Sequence, residues 1–169
     1  MKKILLTLLF SCVLVNSAVA QDTLPAYRAK GYKGNVSYMN MYLIWNGVGT
    51  SHGYMFNDRY YVGGGIGLGG MPWGDSNAIV AGSFFTEAQA YWLHRKNTPT
   101  TAVRLSYVLN FSGDPHNLFT DVTVGWSWGL GSHYGLSANA GVSIPIFAGT
   151  TWVLSDPHLI PMLSVAFEF

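Results

Sequence analysis

The chain has 169 residues and a formal net charge of +1. Only 10% of its residues are charged, against about 25% in an ordinary soluble domain, while aromatics reach 15% and glycine occurs 20 times. A chain so close to neutral carries no electrostatic footprint for nucleic acid, and so few charges do not keep a domain of this size dispersed in water.

The first element in chain order is a secretory signal over residues 1–20. Lys2 and Lys3 make a positive start, and residues 4–15 form an apolar run too short to span a bilayer comfortably. Ala18-Val19-Ala20 then supplies the small-residue pattern that signal peptidase cuts, so Ala18 and Ala20 are the expected cleavage determinants and Gln21 the first mature residue. Cys12 offers a competing lipoprotein site, with a very short apolar stretch ahead of it. It is also the one cysteine in the sequence, so disulfides are not expected to stabilise the mature domain. No later segment provides the ~20 consecutive apolar residues of a spanning helix. A hydrophobic chain without such helices has one other way to satisfy its backbone in lipid, the closed barrel.

Residues 21–31 are polar and irregular and read as a periplasmic lead-in. Residues 32–169 follow a period of two, the strand signature. The first segment, 36–44, is ambiguous because both faces are bulky. Met39, Met41 and Leu43 are expected on its apolar face, with Tyr38, Asn40 and Tyr42 opposite. A brief loop at 46–49 and a short strand at 50–56 lead to a tight turn at Asn57-Asp58.

Next, Tyr60, Val62, Ile66 and Leu68 share one face, and Gly63, Gly65, Gly67 and Gly69 the other. A less regular strand covers 83–93. Thr101, Val103, Leu105, Tyr107, Leu109 and Phe111 then alternate with Ala102, Arg104, Ser106 and Asn110. The pattern repeats from Val122 to Gly131 and from Tyr134 to Ile144, and ends with Leu163, Val165, Phe167 and Phe169 opposite Ser164, Ala166 and Glu168. Each strand therefore has an apolar face and a face of glycine, serine and asparagine. A soluble lipocalin-like barrel would coat its exterior with charge. Small polar residues suit a lumen instead, with the apolar rows toward lipid.

Connectors support the same arrangement. Turns at 57–58, 94–99 and 131–133 are short, while 71–77, 112–117 and 147–158 are longer and rich in Gly, Pro, Asp and Asn. Aromatics also gather at both ends. Tyr54, Phe56, Tyr60, Tyr61, Tyr91, Trp92 and Tyr134 lie near the short turns; Trp45, Trp73, Phe111, Phe119, Phe147 and Trp152 lie near the long loops. Two such groups read as interfacial girdles. The expected fold is all-β, a transmembrane antiparallel up-and-down β-barrel of about eight strands.

The last segment, residues 162–169, alternates to a terminal phenylalanine and resembles the C-terminal signal read by the bacterial outer-membrane assembly machinery. Its outward residues would be Leu163, Val165, Phe167 and Phe169. Together with the signal and the alternating loops, the pattern over residues 32–169 resembles the small OmpA/OmpX-like outer-membrane β-barrel superfamily. The signal ending in Ala-Gln and the segment Ser51-His52-Gly53-Tyr54 are similar to members from Bacteroides-like bacteria. The resemblance implies membrane insertion and location in the cell outer membrane. Outer-membrane lipid and the assembly machinery are the implied partners, and no catalytic residues are shared across the family.

Candidate chemistry is sparse. Between 36 and 93 the only formally charged side chains are Asp58, Arg59, Asp75 and Glu87. Glu87 and Arg104 fall on inward faces of neighbouring strands, close enough to pair directly or diagonally through Gln89. The expected use is a polar plug that braces the barrel, with a gate or ion path as the alternative. Tyr38, Tyr42 and Gln89 are expected to help fill the interior. Ser112, Asp114 and His116 share one outer loop, as do Ser155, Asp156 and His158, and these types can build a nucleophile, base and orienter. Serine, aspartate and proline are equally what turns are made of, so no enzyme activity is expected. No cofactor and no metal site is expected either. The expected role is structural or one of surface interaction. The alternatives are a narrow pore for small or apolar solutes and a lipid-modifying enzyme; oligomeric state is left open.

Overall fold

A computed structural model describes residues 28–42, 45–71, 79–111, 116–148 and 159–169. The signal segment with Cys12, Ala18 and Ala20 lies outside the described residues, as do Leu43, Trp73 and Trp152.

Eight strands close into one antiparallel barrel in which every strand pairs with its sequence neighbours, and the last pairs with the first. They are β1 (Gly31–Met41), β2 (Trp45–Met55), β3 (Tyr60–Met71), β4 (Ile79–Tyr91), β5 (Asn97–Asn110), β6 (Asn117–Leu130), β7 (Tyr134–Ala148) and β8 (Ile160–Glu168). Closure leaves no free sheet edge, so the backbone ladders are satisfied all the way round.

Three short turns lie at the end that holds residue 31 and the C-terminus. In the first, Asn57 Oδ1 accepts from the backbone N–H of Arg59 (2.8 Å) and Tyr60 (3.0 Å), the usual way an asparagine side chain imitates a backbone turn. In the third, Gly131 takes a φ of +74°, a conformation that costs glycine little. Near the opposite end, β6 and β7 slip register between Leu118 and Phe119, where Phe119 faces Pro145. A proline gives no ladder hydrogen bond, so a bulge is where one fits.

The predicted segments come out longer than their patterns. Residues 46–49, read above as a loop, belong to β2, and the first connector instead falls between Met41 and Trp45. The glycines of 46–53 hide the alternation there, because a residue without a side chain shows no face.

Side-chain direction separates the two solvents. Val48, Ile66, Leu68, Phe84, Val103, Val124, Leu163 and Val165 are exposed on the outer wall. Asn35, Ser51, Ser83, Ser106, Thr123, Ser127 and Ser137 are buried within. The face assignments for β3, β5, β6, β7 and β8 hold as read from the pattern. The assignment for β1 is reversed: Met39 (8% exposed) and Met41 (2%) point inward, while Tyr38 (49%) and Tyr42 (62%) point outward and fill no lumen. Lys33, Asn35 and Ser37 share the methionines' parity and are buried with them, so this face is polar along one half and apolar along the other.

That change of character belongs to the whole interior. Toward the long-loop end the lumen is filled by an apolar cluster that includes Met39, Met41, Trp45, Val108, Phe119 and Ile160. Trp45 and Phe119 therefore pack inside and belong to no girdle, and the same holds for Tyr61 and Tyr91 at 1% exposure each. Tyr54, Phe56, Tyr60, Trp92 and Tyr134 are exposed at the turn end, as a girdle there requires, and Phe111 is exposed near the loop end.

Candidate functional site

The polar half of the lumen is the candidate site, and its first component comes from a single hairpin. The β4–β5 ladder sets Glu87 directly across from Arg104. Both point inward, and Arg104 donates to Glu87 Oε2 from Nη2 (2.6 Å) and Nε (3.1 Å). The guanidinium lies 4.2 Å from the centroid of the Phe85 ring, and Asn35 Nδ2 donates to the other oxygen of Glu87 at 3.1 Å. A pair removed from water in this way is stable only when its remaining hydrogen-bonding capacity is met, and these neighbours supply that.

Gln89 does not join this pair. It is drawn to a second network at the turn end. Its Oε1 accepts from Lys33 Nζ at 3.4 Å and from the Tyr91 hydroxyl at 3.2 Å. Glu168 is the centre of that network. Its Oε1 accepts from Tyr91 (2.7 Å) and from Lys33 Nζ (3.2 Å), and its Oε2 accepts from Ser127 (2.8 Å). Lys33 also donates to the Tyr91 hydroxyl and lies over the rings of Tyr61 and Tyr91, 4.9 and 4.4 Å from their centroids. One penultimate residue thus ties β8 to β1, β4 and β6 across the barrel.

Below this layer Arg28 closes the mouth. It is fully buried, lies 4.8 Å from the Tyr91 ring centroid, and donates to the carbonyls of Asp58 (3.1 Å), Leu93 (2.9 Å) and Arg95. A hydrogen bond between His94 Nδ1 and Asp58 Oδ2 links the same two turns. The arrangement can brace the barrel and stop its lumen at both ends, by apolar packing at one and an arginine at the other.

Lys33, Arg28 and Asp121 are the interior groups that the sequence reading missed. Asp121 stands one residue before Val122, on the parity of Thr123 and Gly125, so extending that alternation by one step places it inside. Lys33 has the parity of Asn35 and Ser37 but precedes the first predicted segment. Arg28 has no such signal, since it follows no strand pattern.

Leu163, Val165 and Phe167 are exposed on the outer wall, and Phe169 is half-buried there, its ring 6.5 Å from those of Phe167 and His52. His52 also faces outward, hydrogen-bonded to the Tyr32 hydroxyl at 2.5 Å and to Thr50 at 3.0 Å. His116 is exposed beside Tyr107, with ring centroids 5.6 Å apart, whereas Ser112, Asp114, Ser155, Asp156 and His158 lie outside the described residues. Among the described residues no three His, Cys, Asp or Glu side chains gather as a metal site would require.

Comparison with solved structures finds barrels of this shape. The N-terminal β-barrel domain of Pseudomonas aeruginosa OprF has a TM-score of 0.55 and 11% identity, over 83% of this chain and 98% of that one. The chain shares that domain's closed antiparallel barrel fold. The de novo designed barrel TMB2.3 agrees with a TM-score of 0.52 and 12% identity, over 83% of this chain and 94% of the design. At such identity the likeness is one of fold alone, and it does not reach the narrower similarity to Bacteroides-type members. No family model and no curated protein matches the sequence.

Proposed function

We propose that this chain is an integral outer-membrane β-barrel with a structural or surface-interaction role and no catalysis, its first 20 residues serving as a cleaved secretory signal. One observation carries the reading. The outer wall of the closed barrel presents valine, leucine, isoleucine and phenylalanine along the strands, while the ionic groups of the strands are buried inside. Water is a poor solvent for such a surface and hydrocarbon a good one. The stopped lumen supports a bracing role over the alternative of a narrow pore, because a solute would have to displace the cluster around Met39, Trp45 and Phe119.

The test is the mobility of the purified membrane-extracted protein in sodium dodecyl sulfate gels before and after boiling. A folded barrel should run differently in the two lanes. Identical migration, or recovery of the protein without detergent, would overturn the membrane assignment. Reconstitution in planar bilayers should give no steady conductance; a reproducible unitary current would favour the pore.

A further inference from the structure

The middle of the lumen holds a cavity of about 40 Å³ between the two ionic networks. Asn35, Glu87, Arg104, Asp121, Ser137 and Asn139 are among the residues that line it. One small molecule needs only about 10–15 Å³ measured in this way, so the cavity has room for a few.

Arg28, Lys33 and Arg104 match Glu87, Asp121 and Glu168 in number, but around the cavity they do not pair off one to one. Arg104 stands in register between two carboxylates, with Glu87 across from it on β4 and Asp121 across from it on β6. Its Nε and Nη2 are both given to Glu87, and Nη1 points at the sulfur of Met39, 3.6 Å away. Lys33 is matched by Glu168 at 3.2 Å. Arg28 is held at the mouth by turn carbonyls. Asp121 is left as the second carboxylate on a single guanidinium.

Its hydrogen bonding is also incomplete. Asp121 is 1% exposed, its Oδ2 takes one long hydrogen bond from Ser106 (3.4 Å), and the Ser143 hydroxyl across from it on β7 lies near the carboxylate without closing a hydrogen bond to its Oδ1. Asn35, 4% exposed, spends its amide N–H on Glu87 and leaves its own Oδ1 unpartnered as well. A buried carboxylate oxygen and a buried amide oxygen without a hydrogen bond, lining one cavity where the carboxylate has no salt bridge of its own, present the chemistry of a hard cation's ligands. A single carboxylate without a salt bridge is balanced by a monovalent ion, whereas a divalent one would leave a buried positive charge.

We propose that the cavity binds one monovalent metal cation, of sodium or potassium size, against Asp121 Oδ1 and Asn35 Oδ1, with water completing its shell. The site rests on the barrel reading, since only a closed wall isolates the cavity from bulk salt, and the ion enters as the barrel closes. Wild type and Asp121→Asn are refolded from urea into detergent in sodium chloride, potassium chloride or choline chloride at equal ionic strength. The midpoint temperature of thermal unfolding is then read by circular dichroism in a non-ionic detergent, with no dodecyl sulfate to carry sodium into the choline sample or precipitate with potassium.

For wild type the midpoint should lie about 5 °C higher in saturating sodium or potassium than in choline, and should climb with metal-ion concentration. Asp121→Asn should lose that dependence. Equal midpoints for wild type in all three salts would overturn the site and leave Asp121 to be neutralised by a proton. A salt difference that survives in Asp121→Asn would overturn it too, by locating the ion elsewhere. No cooperative unfolding of β-structure in any salt would instead bring down the barrel reading, and the site with it.

Discussion

Glu168 shows how much one side chain holds when it is the last inward position of the chain. Its carboxylate accepts from Lys33, Tyr91 and Ser127, and its backbone lies between Asn35 of β1 and Gly135 of β7. Glu168→Ala would leave the buried Lys33 ammonium without its counter-charge, which costs about 3–5 kcal/mol. The loss should appear as a lower urea midpoint for the refolded barrel. Replacing both partners, Lys33→Met with Glu168→Leu, should recover most of it; no recovery would place the cost in packing rather than charge. The alternation of residues 162–169 already puts Glu168 opposite Phe167 and Phe169, so its inward direction was legible. Its partners were not, because Lys33 is 135 residues away in sequence and they meet only across a closed lumen.

At the scale of elements, β2 and β3 show what the lumenal glycines are for. A Cβ added to Gly65 would meet the Thr50 carbonyl and come within 2.5 Å of the Phe85 ring. One on Gly69 would come within 2.6 Å of the Trp45 ring. The glycines therefore leave the space that inward rings from neighbouring strands, Phe85 of β4 and Trp45 of β2, occupy. Gly65→Val should cost at least about 1–3 kcal/mol by overpacking, or prevent refolding outright. Gly64→Val, on the outer face where the nearest atom is the Phe85 carbonyl at 3.3 Å, should refold with its compact band intact. Equal damage from both would mean that β3 tolerates no side chain on either face. The glycine face itself was readable from period two. That the space above it belongs to Phe85, Tyr61 and Trp45 was not, because aromatics near strand ends suit a girdle equally well.

The whole molecule makes a prediction about depth. Ile66 lies at the middle of β3 and Tyr54 near the turn end of β2, and both are exposed on the outer wall. If that wall faces hydrocarbon, Ile66→Arg should destabilise the barrel in lipid vesicles by about 2–4 kcal/mol and Tyr54→Arg by about 0–1 kcal/mol. Equal effects in urea unfolding at the two depths would mean that the wall meets water along its length.

The amino-acid sequence by itself determined the class of fold, the inside and outside of five strands, and the ends at which short turns and long loops collect. Each of those follows from local alternation and from turn chemistry within a few residues. Tertiary structure decided the facing of β1, where Met39 and Met41 turn inward because closure against β8 and β2 places Tyr38 outside between Val165 and Val48. It also decided which charges meet. Glu87 and Arg104 are hairpin neighbours, but Gln89 leaves them for Lys33, and Asp121 stands beside an arginine already engaged. A period of two assigns a side chain to a face; only closure of the ring sets which side chains oppose one another across the lumen.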